Sequence, residues 1–307
     1  MHPKLEPLEK IRELKAEKSA FALKWNAVLE LTKARLNISV VYSAIAGYLL
    51  GADSFSALHL IFLSLGGYLV VGAANGFNQV IERDRDALMK RTANRPLPTG
   101  RLSLLEAMVA STLMAFAGMW MLYLINPLTA AFGAFALFMY VLVYTPFKAR
   151  GPVAVFIGAF PGAIPALLGW VAATNDFDIE PGTLFALQFL WQFAHFWAIG
   201  WIADEDYKKA GYSLLPSGKP DKRTAFQILI YTLFVIPVSL LPFFGITGSL
   251  QLDWVAAALV LVMGIFFLSK AIRLYQSQEV ADARKLMIAS IIYLPVVQLI
   301  YVLDKFI

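Results

Sequence analysis

The 307-residue chain has no cysteine. That excludes disulfides, thiolate metal sites and covalent CxxCH haem attachment, leaving oxygen and imidazole as the strong ligands. Histidine is nearly as scarce, with only His2, His59 and His195. Charge is thin as well: 15% of residues are charged against 59% hydrophobic, and a mean hydropathy of +0.65 is too apolar for a water-soluble globule of this length. The first 20 residues lack an apolar run, so no cleavable signal peptide is expected. Glu6, Glu9, Glu13 and Glu17 argue against an acid-poor mitochondrial transit peptide.

What is present is a series of long apolar runs. Nine approach the roughly 20 residues needed to cross a hydrocarbon core, at about 34–51, 57–79, 104–125, 127–144, 152–173, 183–203, 224–244, 252–272 and 286–303. The expectation is an all-α, polytopic membrane protein of nine transmembrane helices around a central cavity. Residues 1–33 would form a separate, possibly amphipathic segment and 34–307 the membrane domain. Of the 26 Lys and Arg, 25 fall in the segments up to Arg35 and at 80–103, 145–151, 203–223 and 270–285, all on one side of such a topology; Lys305 is the exception. The positive-inside bias puts that side in the cytoplasm, with the N-terminus there and the C-terminus opposite. A prokaryotic inner membrane is the simplest address. Topology and anionic lipid headgroups account for the net charge of +5, so no nucleic-acid partner is implied.

Two of the basic loops also carry acids, NQVIERDRD (Asn78 to Asp86) and DEDY (Asp204 to Tyr207). Each follows the second member of a set of four spans, a weak internal repeat of spans 1–4 and 5–8 with span 9 left over. In duplicated membrane folds the site tends to lie between the halves, which predicts a cavity closed by these two loops. If the second span continues as helix past the membrane, Asn75, Asn78, Glu82 and Asp86 share one face and Asp84 points elsewhere. Mg²⁺ prefers one or two carboxylates plus phosphate oxygens and water, so Asn78, Glu82 and Asp86 are metal and catalytic candidates. The plainer alternative is ion pairing along an exposed helix end. Buried amides leading into the stripe weigh against it, being costly in a membrane helix unless used.

Lys90, Arg91 and Arg95 follow within a turn or two and could neutralise a diphosphate, although positive-inside loops always hold such residues. Lys148, in YTPFKARG, is the third candidate phosphate contact. On span 6, Gln188, Gln192, His195 and Asp206 fall near one helical face, with His195 about 16 Å from Asp206 if one helix runs through both. His195, flanked by Gln192 and ringed by Trp191, Phe193, Phe196 and Trp197, could face a planar aromatic ligand or its iron; hydrogen-bonded packing is the alternative. Pro161, Gly162 and Pro165 would bend span 5, to shape a cavity or simply to pack.

The segment NQVIERDRDALMKRTANRPLPTG resembles the first aspartate-rich motif of the intramembrane UbiA-type prenyltransferases. Together with WQxxHF (Trp191 to Phe196), DYxxAG (Asp206 to Gly211) and IGAFPGAIPALLGW (Ile157 to Trp170), it is similar to the branch of that family that farnesylates haem. The likeness runs from about Leu31 to the end. It implies a nine-helix fold around a lateral cavity and Mg²⁺-dependent transfer of the farnesyl group of farnesyl diphosphate to a vinyl of haem b. Water addition would give haem O, and pyrophosphate would leave. It also implies roles: Asn78, Glu82 and Asp86 for metal and diphosphate, Arg91, Arg95 and Lys148 for diphosphate, Asp206 for the second acidic segment. A haem A synthase or a cytochrome oxidase assembly factor would be a possible partner.

The chain departs from the pattern in places. Ile202 stands four residues before Asp206, where enzymes acting on small aromatics complete a second DxxxD motif. Ala194 replaces a proline, Ala203-Asp204 a basic pair, and Gly151 and Ala154 a Thr and an Asn. No protein nucleophile is needed for ionising an allylic diphosphate, and aromatics such as Tyr144 or Phe147 could shield the cation. Two rivals remain: a prenyltransferase for quinone or chlorophyll precursors, disfavoured by Glu82 and WQxxHF, and a non-catalytic haem-binding or transport protein, which would not need aligned carboxylates.

Overall fold

A computed structural model describes residues 22–307, and among them there are helices and turns but no strand. Helix α1 covers 22–32. It is followed by α2 (Ala34–Gly51), α3 (Ala57–Asp86), α4 (Leu104–Ile125), α5 (Pro127–Phe138), a π-helical turn (Met139–Tyr144), α6 (Thr145–Phe147), α7 (Val153–Thr174), α8 (Ile179–Ile202), the short α9 (Asp204–Lys209), α10 (Lys222–Leu240), α11 (Trp254–Ser277) and α12 (Val280–Phe306). Caps fix several boundaries: a Ser103–Glu106 capping box opens α4, Asn126 with Pro127 behind it opens α5, and Asp221 opens α10.

Among the described residues, seven helices are long and apolar enough to cross a membrane: α3, α4, the stretch 127–150, α7, the stretch 222–244, α11 and α12. The other two expected spans are long helices as well. Polar residues dilute them, Arg35 and Asn37 in α2 and Gln188, Gln192 and His195 in α8. The outward faces are apolar, with Leu105, Phe116, Trp120, Trp254 and Val262 each more than 60% exposed, a surface that only lipid can cover.

Consecutive helices pack on one another within two sets, α2 to α5 and α7, α8, α10 and α11; α2 against α7 joins the sets, and α12 closes against α2, α8 and α11. Lipid gives no hydrophobic drive between helices, so close approach depends on small residues. A Cβ at Gly47 would overlap the Ala166 carbonyl, and one at Gly169 the Ala44 carbonyl, so α2 and α7 touch backbone to backbone. Gly66 and Gly118 do the same for α3 and α4. Helix α7 is accordingly the most enclosed of the seven, 72% of its most apolar window being buried.

The described part of the N-terminal segment docks on the bundle: Ala27 and Leu31 bury against Leu102 and Ala107 while Leu23, Trp25 and Leu29 stay exposed. Residues 1–21, Phe21 included, lie outside the described residues. The one basic residue on the far side, Lys305, is a helix cap, its Nζ donating to the carbonyls of Leu50 (2.7 Å) and Ala52 (2.8 Å) at the end of α2.

Candidate active site

Helix α3 runs unbroken for 30 residues to Asp86, and this length carries the expected stripe into the protein. Asn78, Glu82 and Asp86 are buried at 3%, 3% and 0% exposure, whereas the Asp84 side chain is 88% exposed. The exposed-ion-pair alternative therefore holds for Arg83 and Asp84, 3.2 Å apart, and fails for Glu82 and Asp86.

Each buried carboxylate has one basic partner. Lys148 Nζ lies 3.0 Å from Glu82 Oε2, and Arg95 Nη1 lies 2.7 Å from Asp86 Oδ2. The second oxygens, Glu82 Oε1 and Asp86 Oδ1, are buried without a hydrogen-bond partner among the described residues. Orphaned anionic oxygens are costly, and a pair of them beside an amide is the donor set that a hard divalent cation takes, the rest of its shell coming from phosphate and water. Asn78 donates through Nδ2 to Thr145 Oγ1 (3.2 Å). Among the described residues no three His, Asp or Glu side chains gather closely enough to hold a metal alone, so Asp206 does not join the other two carboxylates.

Local backbone features deliver the cations. The π turn Met139–Tyr144 widens the end of the fourth span, and Thr145 Oγ1 caps the Tyr140 carbonyl (2.8 Å). Such turns recur at functional sites; here one leads directly to Lys148, after which Gly151 (φ 99°) reverses the chain. The buried amides upstream on α3 prove structural. Asn75 donates to the Thr32 carbonyl (3.2 Å) and Gln79 to the Leu31 carbonyl (2.8 Å), holding the break between α1 and α2.

At that break stands Lys33, in the left-handed region (φ 54°), a residue that sequence reasoning missed. Burial first, then the nearby charges of Arg95 and Lys148, push its ammonium down to about 7 against the pull of Glu82 and Asp86. Positive-inside logic hides such a lysine, and nothing in TKARL announces its backbone conformation.

The second acidic segment takes an unexpected form. Helix α8 ends at Ile202 and the chain breaks at Ala203 (ψ 15°) before α9, so His195 and Asp206 do not share one helix and the 16 Å spacing does not apply. Asp206 instead ties the two loops together, accepting the backbone N–H of Lys90 (2.9 Å) and of Arg91 (3.2 Å). Burial pushes its carboxyl up, but these two N–H donors and the charges of Lys209 and Arg91 hold it below the usual carboxylate range. Arg91 then reaches Tyr207, donating to its hydroxyl (3.0 Å) with the guanidinium carbon 5.3 Å from the ring centre. Lys148 Nζ lies 4.7 Å from the Tyr212 ring and 5.9 Å from that of Tyr207. These tyrosines, also missed, flank the ammonium with π faces. Beside them an opening of about 710 Å³ lies between the loops, lined by Lys90, Arg91, Asp204, Asp206 and Lys209 among others.

Gln192 and His195 sit apart from the carboxylates, and from each other in role. Gln192 donates to the Ala159 carbonyl (3.2 Å) and Gln188 to that of Gly162 (2.9 Å), both on the stretch of α7 around Pro161 and Pro165. Gln192 is thus spent on packing α8 against a proline-disturbed helix. His195 stacks on Trp191 (4.7 Å, 13°) and pairs through Nδ1 with Ser290 Oγ (2.7 Å). That hydroxyl spends its proton on the Met287 carbonyl (2.6 Å), so Nδ1 carries the imidazole proton and Nε2 keeps its lone pair.

A buried row of one amide and two carboxylates, each carboxylate paired with a lysine or an arginine, thus stands within a bundle of lipid-facing helices. Residues 40–293 match the UbiA prenyltransferase family, and the chain belongs to it. It is a multi-pass membrane protein and a transferase. Protoheme IX farnesyltransferase from Christiangramia forsetii is 54% identical over 278 residues, covering 91% of this chain and 93% of that one. Among solved structures, one reported for digeranylgeranylglyceryl phosphate synthase matches with a TM-score of 0.76 at 20% identity, over 92% of this chain and 98% of its own. A UbiA homolog from Archaeoglobus fulgidus bound to DMAPP and Mg²⁺ matches with a TM-score of 0.70 at 15% identity, over 91% and 97%.

Proposed function

We propose that this chain transfers the farnesyl group of farnesyl diphosphate to a vinyl group of protohaem IX, with water addition, giving haem O and pyrophosphate. The observation that carries the site assignment is the buried set Glu82–Lys148 and Asp86–Arg95 with an orphaned oxygen on each carboxylate; the 54% identity to a protoheme IX farnesyltransferase carries the choice of acceptor. The membrane is a prokaryotic inner membrane, with the basic loops and the N-terminus in the cytoplasm and the C-terminus opposite.

Asn78, Glu82 and Asp86 would hold Mg²⁺, which would supply positive charge against the departing diphosphate. The chain's own cations complete that neutralisation. Lys148 and Arg95 are already poised on the carboxylates, and Lys33 and Arg91 stand at the rim. A diphosphate draws these cations toward itself, so the groups that pair with the carboxylates become the groups that stabilise the leaving charge. The allylic C–O bond breaks with its electron pair going to pyrophosphate, and the vinyl π pair forms the new C–C bond. Water then adds its oxygen at the resulting benzylic-type cation and loses a proton. Tyr140 and Tyr144, ring centres 5.3 Å apart on the π turn, give the prenyl cation aromatic surroundings. His195, its Nε2 lone pair exposed by the Ser290 hydrogen bond, is the haem contact, with Gln192 supporting the helix that carries it.

Offering haem b and a small aromatic acceptor together with farnesyl diphosphate tests the reading. Farnesylated haem is expected; prenylation of the aromatic alone would move the chain to another branch of the family.

A further inference from the structure

Tyr212 lies in the loop after α9, and no role in the reaction has been given to its hydroxyl. The residue is 1% exposed, yet its Oη is buried without a hydrogen-bond partner among the described residues. The ring is firmly placed: its backbone N–H donates to the Tyr207 carbonyl (2.9 Å), Gly211 supplies the left-handed turn (φ 75°) just before it, and the two rings meet edge to face at 6.2 Å. Burying a phenol hydroxyl unpaired costs stability that a phenylalanine would not. Its surroundings say what it is kept for. Lys148 Nζ lies 4.7 Å and the Arg85 guanidinium carbon 5.1 Å from the ring centre, so two cations stand at the phenol.

We infer that the Tyr212 hydroxyl is a catalytic hydrogen-bond donor to a non-bridging phosphate oxygen of the prenyl diphosphate bound against Lys148. The inference rests on the proposed function for the identity of the ligand. A phenol keeps its proton near neutral pH and is a donor there. A phosphate oxygen is an acceptor that a protonated phenol can satisfy. The donor would strengthen as charge builds on the departing pyrophosphate.

Tyr212→Phe removes one oxygen and keeps the ring that faces Lys148. Two measurements on the full-length protein in detergent decide the matter: the melting temperature without ligand, and the affinity for farnesyl diphosphate with Mg²⁺ and no haem, read by calorimetric titration. The melting temperature should be unchanged or higher and the affinity about tenfold weaker, the worth of one hydrogen bond to a charged acceptor. A lower melting temperature, with or without lost affinity, would overturn the inference, because the hydroxyl would then have a partner in the empty fold. Unchanged affinity would overturn it too. Wild-type protein that fails to bind farnesyl diphosphate at all would instead count against the proposed function.

Discussion

Replacing Lys148 by methionine is the most informative single perturbation of this site. The substitution keeps the length and apolar body of the side chain and deletes only the ammonium, which lies 3.0 Å from Glu82 Oε2 at 10% and 4% side-chain exposure. Glu82 is then left with two unpaired oxygens instead of one. Removing one member of a buried pair costs roughly 3–5 kcal/mol, while replacing both by neutral groups of similar size is close to neutral. Lys148→Met should therefore lose about 3–5 kcal/mol of stability, and Lys148→Met with Glu82→Gln should recover most of it. Unfolding by a denaturing detergent, followed through the native tryptophans, measures Lys148→Met, Glu82→Gln and the double mutant. All three are expected to be inactive, so stability and turnover separate cleanly in the double mutant. A loss below about 1 kcal/mol in the single mutant, or a double mutant as unstable as the two singles combined, would refute the claim that this pair is buried and coupled.

Other expectations follow from the same geometry. Lys33, with its ammonium pushed down to about 7 from 10.5, binds fewer protons folded than unfolded between those values, so stability should rise with pH across that window; thermal unfolding from pH 7 to 9 should show the rise in wild type and lose it in Lys33→Met. Gly169→Leu should prevent α2 and α7 from meeting, since even a Cβ there overlaps the Ala44 carbonyl, and should cost at least about 3 kcal/mol in the same unfolding assay. His195→Ala should change the optical spectrum of bound haem through loss of its contact, and Ser290→Ala should change it less, by freeing the tautomer; identical spectra in all three proteins would remove the proposed haem contact.

How far the site was legible depended on whether periodicity reaches it. The carboxylates of α3 were visible because one regular helix carries Asn78, Glu82 and Asp86, and 3.6-residue spacing survives from sequence to structure. The helical class and its boundaries were visible because apolar length and caps are local properties. Lys33, Tyr207 and Tyr212 were not, because a left-handed residue and two loop tyrosines are placed by tertiary contacts that no period encodes. The same limit explains Asp206 and Gln192. A shared face for the two needs an α8 that runs past Ile202, where the helix stops, and their hydrogen bonds to backbone groups of neighbouring segments are set by tertiary packing.

The central claim, that this fold joins a farnesyl group to haem through the carboxylate row of α3, is tested most directly by mass spectrometry of haem extracted after incubating purified protein with haem b, farnesyl diphosphate and Mg²⁺, beside Glu82→Gln. The account predicts a haem heavier by one farnesyl and one hydroxyl group in wild type and unmodified haem in the variant. Unmodified haem from folded wild-type protein, or equal product from Glu82→Gln, would contradict it.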